Sequence, residues 1–150
     1  MGYDLCGRKF TSKAGEYFRN NIWWWHQLAN YVASVTGLND EMWHDNSGHW
    51  VKKKEADLIW KTLNNLHKKG EIHKYARKYK AQDKKAPKEV DCNWCNATGV
   101  DIDGSGIKKE CTWCHGTKKI ANYDKGRPFT VTNVMQFAKF CKDSGGFNIC

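Results

Sequence analysis

Apolar residues recur at helical spacing in several stretches of the chain. The first stretch, "NNIWWWHQLANYVASVTG" (20–37), can be capped by Asn20 or Asn21 and can end at Gly37. Its apolar residues fall on one face of a helix: Ile22, Trp25, Leu28, Val32 and Val35. The pattern therefore predicts an amphipathic helix.

Three further helices follow from the same periodicity. "VKKKEADLIWKTLNNLHKKG" (51–70) has an apolar face along its whole length. "EIHKYARKYKAQDKK" (71–85) is a weaker helical pattern and ends before Pro87. "FTVTNVMQFAKFCKDSGG" (129–146) predicts a last helix that stops at Gly145.

Strand signals lie near the two ends of the chain. The segment 2–7 alternates apolar and polar residues, and "FNIC" (147–150) can form a last strand that pairs with it. The rest of 1–20 and the segment 38–50 are rich in turn-forming residues and predict loops. The expected fold is α+β: a small helical domain with short terminal strands.

Two near-copies of one motif lie in "CNWCNATGVDIDGSGIKKECTWCHGTKK" (92–119). The spacing is C-x2-C-x15-C-x2-C, and the "DGSG" between the copies is a turn signal that suits a hairpin. We predict a β-hairpin over 89–119, inserted into a helical domain of 1–88 and 120–150. The candidate metal ligands are Cys92, Cys95, Cys111 and Cys114.

Two CxxC turns supply four thiolates, which is the number that a closed, structural zinc site requires. We expect one structural Zn²⁺, because a hairpin of this size cannot hold together by apolar burial alone. A redox-active CxxC is the alternative, but a thioredoxin-like motif has one pair beside a βαβ pattern. The spacing favours zinc.

The two copies, "CNWCNATG" and "CTWCHGTK", resemble the CxxCxGxG repeats of the DnaJ-type cysteine-rich zinc domain. The resemblance covers about 28 residues, with two repeats where that domain has four, and no HPD tripeptide of a J-domain is present. The resemblance implies a zinc-bound hairpin, with a chaperone accessory role as an alternative function.

Trp94 and Trp113 occupy the same position in the two CxxC turns. They can stack on nucleic-acid bases, or they can cover the metal and its hairpin. The second interpretation is favoured.

The net charge of +9 is concentrated in one part of the chain. Residues 52–88 contain 13 Lys/Arg and 4 Asp/Glu, which accounts for the whole excess. Such a field attracts polyanions, although a solvated lysine-rich face is the alternative interpretation. The candidate contact residues are Lys52, Lys53, Lys54, Lys74, Arg77, Lys78 and Lys80, with Tyr75 and Tyr79 as stacking residues at i, i+4.

Three consecutive tryptophans cannot share one helix face, since neighbours are about 100° apart. Trp25 follows the apolar stripe, so Trp23 or Trp24 must point elsewhere. An exposed ring is a candidate interface residue. A second core layer under the loop 38–51 is the competing interpretation and is slightly favoured.

"WHDNSGHW" (43–50) concentrates His44, Asp45 and His49 in one predicted loop. These residue types can build a hydrolytic or nucleotide-processing site. However, no nucleophile motif, phosphate loop or HExxH pattern accompanies them. We therefore expect a non-enzymatic protein and keep catalysis as the alternative.

The chain has no apolar run that could cross a membrane and no secretory signal pattern. Seven cysteines, four of them in matched pairs, fit reduced thiols and a metal better than a disulfide framework. These features predict a cytoplasmic protein.

Most of the chain resembles a group of small, uncharacterised proteins of bacteriophages and prophages. The shared features are "GEYFRNNIWWW", "WHDNSGH", the central cysteine hairpin and "PFTVTNVMQFAKFCKDSGGFNIC". The resemblance implies an accessory protein in the cytoplasm of a bacterial host. The expected partner is nucleic acid or an acidic host nucleoprotein surface, with inhibition of a nucleic-acid-targeting defence system, as by an anti-CRISPR protein, as the expected role.

Overall fold

The structure is a computed structural model that describes residues 2–45 and 47–149. The chain forms two compact units. Residues 1–81 and 127–150 form the first, which we call the helical unit, and residues 82–126 form the second, the cysteine unit. The predicted hairpin lies inside the cysteine unit, which extends beyond it at both ends. The fold is α+β, as the sequence predicts.

The described residues contain five α-helices and eight short strands. The helices are α1 (Lys13–Glu16), α2 (Ile22–Thr36), α3 (Lys53–Lys68), α4 (Glu71–Lys85) and α5 (Val131–Ser144). The strands are β1 (Gly2–Gly7), β2 (Tyr17–Asn21), β3 (His49–Val51), β4 (Glu89–Asp91), β5 (Val100–Ile102), β6 (Lys108–Glu110), β7 (Lys119–Ala121) and β8 (Phe147–Ile149).

The sheet of the helical unit joins the two ends of the chain. Its four antiparallel strands have the order β2-β1-β8-β3. β1 pairs with β8 in the register Leu5 to Ile149. The predicted pairing of the terminal strands is therefore confirmed for the described residues, while Cys150 lies outside them.

Two of the predicted loops contain regular structure. The first holds α1 and the edge strand β2, which pairs with β1. The second holds a 3₁₀ turn at Glu41–Trp43 and the strand β3, which pairs with β8. The loop predictions are wrong at these positions because each strand is stabilised by a partner distant in sequence, and local composition carries no signal of that pairing.

The caps of α2 and α5 agree with the sequence. The Asn21 side chain accepts hydrogen bonds from the N–H groups of Trp23 and Trp24, and Thr130 accepts one from Asn133. α5 stops at Gly145, which has φ +65°. A Cβ at this position would lie 2.4 Å from the carbonyl oxygen of Lys9, so both the backbone angle and the space require glycine.

Trp25 is at the centre of the core of the helical unit. Its ring is fully buried, stacks on Tyr3 at 5.6 Å and meets the edge of Phe137 at 5.7 Å. Its indole N–H donates to the carbonyl oxygen of Trp43, at 2.6 Å. α2 and α5 both pack on α3, so the predicted apolar faces of these helices meet in one core.

The cysteine unit contains two small antiparallel ladders. β5 pairs with β6 around the "DGSG" turn, as the sequence predicts. β4 pairs with β7, a ladder that the sequence reasoning did not include. Outside the ladders, the amine of Lys125 donates to the carbonyl oxygens of Asp83 and Ala86, at 2.8 and 2.5 Å. These bonds explain why the unit is longer than the hairpin.

Candidate functional site

The four predicted cysteine ligands meet in one cluster. Their Sγ atoms all lie within 4.8 Å of one another. The Cys92–Cys111 pair is at 3.9 Å, and the Cys95–Cys114 pair is at 3.7 Å. All four side chains are buried. The structure thus brings together thiols from both CxxC turns in a group that can hold a metal ion.

The two halves of the cluster are related by an offset of 19 residues. The N–H of Cys92 donates to the carbonyl oxygen of Lys118, and the N–H of Cys111 donates to that of Gly99. Because Lys118 is the counterpart of Gly99, the two bonds are equivalent. Strand β6 begins and ends 19 residues after β4, and β7 begins and ends 19 residues after β5. The sequence repeat therefore corresponds to a structural repeat around the metal site.

The glycine in the first copy has a steric reason. Gly99 has φ +80°, and a Cβ there would lie 2.8 Å from the carbonyl oxygen of Gly116. Its counterpart Lys118 also has a positive φ, +67°, so the second copy retains the turn without the glycine. The incomplete glycine pattern of the two repeats is therefore compatible with one turn geometry.

The pKa of the Cys95 thiol lies below its ordinary value. Burial raises this pKa. The N–H of Gly99, 3.3 Å from the Sγ atom, and the neighbouring thiols lower it by more than burial raises it, so the pKa of Cys95 is about 6. A thiolate is the form that binds metal. The backbone N–H of Gly99 thus favours the thiolate form of Cys95, which can bind a cation at neutral pH.

Trp94 and Trp113 stack on each other rather than bury themselves. Their ring centroids are 4.5 Å apart, with planes 6° apart, and the side chains are 59% and 57% exposed. Ile120 is the partly buried apolar side chain that packs against the cysteines. More than half of the surface of each ring thus faces solvent, and the favoured interpretation, that the tryptophans cover the metal site, stays a prediction.

A groove lies beside the tryptophan pair. Its volume is about 460 Å³, and Trp94, Trp113, Ile120 and Tyr123 supply its apolar wall. The sequence reasoning did not single out Ile120 or Tyr123. The one signal in the sequence was that both residues follow closely after the second copy of the motif.

The positive charge belongs to the helical unit. This unit contains 17 Lys/Arg and 9 Asp/Glu, whereas the cysteine unit contains 8 and 7. The excess is +8 in the first unit and +1 in the second. A divalent metal ion with four thiolates carries a net charge of −2, which would change the balance of the cysteine unit from +1 to −1. The two candidate surfaces therefore differ in electrostatic character.

The predicted basic contact residues are all exposed. We call this set the basic surface: Lys52, Lys53, Lys54, Lys74, Arg77, Lys78 and Lys80. Within the described residues, Lys53 pairs with Asp57 at 2.5 Å and Lys74 with Glu71 at 3.9 Å, while the other five form no ion pair. Most of this charge is thus not neutralised by neighbouring carboxylates.

Tyr75 and Tyr79 belong to an aromatic cluster, in which Tyr75 remains 38% exposed. Tyr75 lies 4.5 Å from Tyr31 and 4.9 Å from Phe129, and Tyr79 lies 5.6 Å from Phe129. Burial raises the pKa of Tyr75. The Tyr79 hydroxyl donates to the carbonyl oxygen of Arg127. Both rings therefore pack α4 against its neighbours, and stacking on bases stays a prediction.

The tryptophan triplet divides as the helix geometry requires. Trp25 is buried, Trp24 is partly buried and Trp23 is 48% exposed. The guanidinium of Arg127 lies over the Trp23 ring, 5.4 Å from its centroid. Trp23 is thus the exposed member that the periodicity anticipates, but a cation already covers one of its faces.

The three residues of the alternative catalytic site, His44, Asp45 and His49, have different hydrogen-bond partners. The His44 Nδ1 atom contacts His26 Nδ1 at 2.7 Å, and its Nε2 atom contacts Asp40 at 3.0 Å. Asp45 instead accepts hydrogen bonds from Ser47, and His49 lies in β3. The side-chain contacts of His44 are therefore His26 and Asp40, which both lie outside the segment 43–50. Asn46 lies outside the described residues.

Together, the fold and the cysteine cluster define a small α+β protein with a four-thiol site that can hold a metal ion. No protein-family model, curated protein or solved structure matches the chain. The resemblances to DnaJ-type repeats and to phage proteins therefore stay predictions. Within the described part of the chain, no helix combines the length and the apolar character needed to cross a membrane.

Proposed function

We propose that this protein is a non-enzymatic, zinc-stabilised nucleic-acid-binding protein of the phage accessory type. The observation that carries the proposal is that the excess positive charge and the candidate metal ligands lie in different units of the chain. The helical unit has 17 basic against 9 acidic residues, while the unit with the cysteines is almost balanced. Recognition of a polyanion is thus assigned to the helical unit, and the metal is assigned a structural role.

The donor set and its dimensions favour zinc as the metal. A tetrahedral zinc site with Zn–S bonds of about 2.3 Å has sulfur–sulfur edges of about 3.8 Å. Two edges of the cluster, Cys95–Cys114 and Cys92–Cys111, measure 3.7 and 3.9 Å. Four cysteines complete the coordination, so no position is open for a substrate or an activated water. The zinc would therefore hold the ladders β4–β7 and β5–β6 together.

The basic surface fits a sequence-independent contact with phosphates. Six of its seven residues are lysines, which act as point charges rather than as the bidentate donors that read bases or phosphates. Their exposure leaves the amines available to displace counterions from a nucleic acid. Tyr75 and Tyr79 lie among these charges and pack on Phe129, which leaves Tyr75 38% exposed, so the lysines would provide most of the contact.

Binding to a single-stranded oligonucleotide should depend steeply on salt. Each phosphate contact lowers the slope of log K against log[salt] by about 0.7 for single strands, so four to six contacts give a slope of roughly −3 to −4. Fluorescence anisotropy of a labelled oligonucleotide, between about 50 and 200 mM salt, measures this slope. An affinity that does not change with salt, or no binding at the lowest salt, would contradict the proposal.

A second candidate function rests on the exposed tryptophan pair. Two stacked tryptophans on a nearly charge-balanced unit suit a protein surface better than a polyanion, because aromatic rings are enriched in protein interfaces. In this candidate, the protein inhibits a host nucleic-acid-targeting complex: Trp94 and Trp113 contact the host protein, and the basic surface competes with its nucleic acid.

The double variant Trp94→Ala/Trp113→Ala should separate the two candidates. If the pair anchors a protein, the variant loses the host partner recovered with the tagged wild-type protein but retains its oligonucleotide affinity and its metal. Trp50→Ala is the matched control, because Trp50 is 51% exposed and lies in the helical unit. Recovery of the same partner with the double variant would rule out the second candidate.

A further inference from the structure

The sheet of the helical unit has one buried face and one exposed face. Leu5, Phe147 and Ile149 lie on the buried face, and each is 0% exposed. Successive side chains of a strand point to opposite faces, and directly paired residues of neighbouring antiparallel strands share a face. The residues next to these three therefore point away from the core. An antiparallel sheet commonly has one such face open to solvent.

Two aromatic side chains lie at opposite edges of the exposed face. The paired residues Tyr17, Cys6, Asn148 and Trp50 form one row across the strands β2, β1, β8 and β3. Tyr17 is 48% exposed and Trp50 is 51% exposed. Three strand spacings of about 4.8 Å separate the two ends of the row by roughly 14 Å. Each ring therefore has its own surroundings.

The charge beside Tyr17 is balanced within the sheet. The Tyr17 hydroxyl donates to the Asp4 carboxylate, and the Arg19 guanidinium pairs with the same carboxylate at 3.5 Å. A phosphate at this edge would be repelled by Asp4 and would have to compete with it for the arginine. This edge of the exposed face is therefore a poor site for a polyanion.

The charge beside Trp50 is not balanced in the same way. The Arg8 guanidinium lies over the Trp50 ring, 5.0 Å from its centroid. Lys52 follows two residues after Trp50, and the side chains of Arg8 and Lys52 are both exposed. Neither cation forms an ion pair with a described residue, whereas the next lysine, Lys53, pairs with Asp57. Two cations beside an exposed indole are thus available to a ligand.

A pocket lies at the same edge of the sheet. Its volume is about 360 Å³, and its lining includes Arg8, Trp50, Lys52 and two residues without side chains, Gly145 and Gly146. This volume lies within the range of ligand pockets, roughly 300–1,000 Å³. None of the described residues that line it is acidic. A nucleobase has a flat face and is joined to charged phosphates, so an indole beside unpaired cations is complementary to it.

We propose that this pocket takes one base of a single-stranded nucleic acid. The base stacks on Trp50, the Arg8 guanidinium holds a phosphate through two N–H groups, and Lys52 neutralises a neighbouring phosphate. The inference rests on the proposed function, because Lys52 belongs to the basic surface, and it narrows the ligand to strands with unpaired bases. A base within a duplex is stacked on its neighbours and cannot enter the pocket.

Fluorescence anisotropy with three labelled probes of equal length tests the pocket: a single strand, a strand made only of abasic nucleotides, and a duplex. The abasic strand retains the phosphates, so the wild-type protein should bind it about tenfold more weakly than the intact strand, through loss of the stacked base. Trp50→Leu retains an apolar side chain in β3 and should bind the two strands with equal affinity. Its affinity for the duplex should change by less than about twofold, which also shows that the variant is folded.

Arg8→Gln tests the phosphate contact. Loss of one contact should lower the affinity for the intact strand about fivefold at about 0.1 M salt and reduce the magnitude of the salt slope by about 0.7. Trp50→Leu should leave the slope unchanged, because it removes no phosphate contact. Tyr17→Leu and Arg19→Gln are the matched controls at the other edge of the same face, and each should change the affinity by less than about twofold.

The same probes distinguish failure of this inference from failure of the proposed function. If the wild-type protein binds none of the three probes at the lowest salt, the proposed function is wrong and the pocket with it. If it binds the intact and abasic strands equally and in a salt-dependent manner, the proposed function stands and the base pocket is overturned. Equal losses in Trp50→Leu and Tyr17→Leu would also overturn it. Recovery of a host protein through Trp94 and Trp113 does not depend on this pocket, so Trp50→Ala remains a control for that recovery.

Discussion

Reversal of three charges on α4, in Arg77→Glu/Lys78→Glu/Lys80→Glu, should lower the affinity for an oligonucleotide by roughly a hundredfold at about 0.1 M salt. Each phosphate contact of a single strand contributes about 0.7 to the salt slope, so three lost contacts remove about two powers of ten. All three side chains are exposed and form no ion pair within the described residues, so their replacement leaves no buried partner unsatisfied.

The salt slope itself should fall in magnitude by about two in this variant. A charge-matched control is available in the same unit: Lys9→Glu/Lys13→Glu/Lys139→Glu changes the net charge equally at exposed positions outside α3 and α4. We expect this control to lose less than about tenfold in affinity, through the long-range field alone. Equal losses in the two variants would show that the contact is not localised to the basic surface.

Removal of the metal should unfold the cysteine unit and leave the helical unit folded. Structural zinc in small domains contributes on the order of 10 kcal/mol of apparent binding free energy, which is folding free energy when the site forms only in the folded state. The described part of the cysteine unit has no apolar core other than its four cysteines and Ile120. Neither Cys92→Ser nor a chelator-treated protein should therefore retain the β4–β7 and β5–β6 ladders.

Limited proteolysis and amide hydrogen exchange measure this effect by segment. In Cys92→Ser, residues 82–126 should become cleavable and exchange rapidly, while α2, α3 and α5 keep their protection. The core of the helical unit has its own buried side chains, including Trp25, Leu63 and Phe137, and none of them comes from 82–126. Cys6→Ser is the control: Cys6 is exposed in β1, and its replacement should leave one metal ion per chain.

An unchanged protection pattern in metal-free protein would contradict a structural role for the metal. Loss of protection throughout the chain would contradict the independence of the helical unit. Metal content, measured by native mass spectrometry, also tests the identity of the ion. The fit of four thiolates to 3.7 and 3.9 Å edges predicts zinc rather than a metal that requires oxygen ligands.

The helices were predictable because their signals are local. The 3.6-residue period of 22–35 identified the buried face around Trp25, and Asn21 and Gly37 bracket the helix that forms. The thiol cluster was predictable for a similar reason, since two CxxC turns fix the ligands within each turn. The spacing between them leaves one arrangement, a hairpin, that brings the turns together.

The strands β2 and β3 were not predictable from the same signals. β3 is three residues long, and it exists because β8 places Asn148 opposite Trp50 at the far end of the chain. Such short strands depend on a partner that composition does not reveal. The same limit applies to His44, whose contacts, His26 and Asp40, come from a helix and from outside the segment that was considered.

The aromatic predictions show where sequence spacing is ambiguous. Tyr75 and Tyr79 stand at i, i+4 among lysines, a pattern that fits stacking on bases and equally fits the aromatic cluster with Phe129 that they form. Trp94 and Trp113 have equivalent positions in the repeat, but only the folded hairpin shows that the equivalence makes them neighbours. Pairing between copies is a property of the tertiary structure.

The most direct test of the central claim compares the oligonucleotide affinity of metal-loaded and metal-free protein under the same salt conditions. If the helical unit recognises the polyanion and the metal only holds the cysteine unit together, the two affinities should agree within about threefold, less than 1 kcal/mol. A loss of tenfold or more on removal of the metal, about 1.4 kcal/mol, would instead place the cysteine unit in the contact and contradict the account.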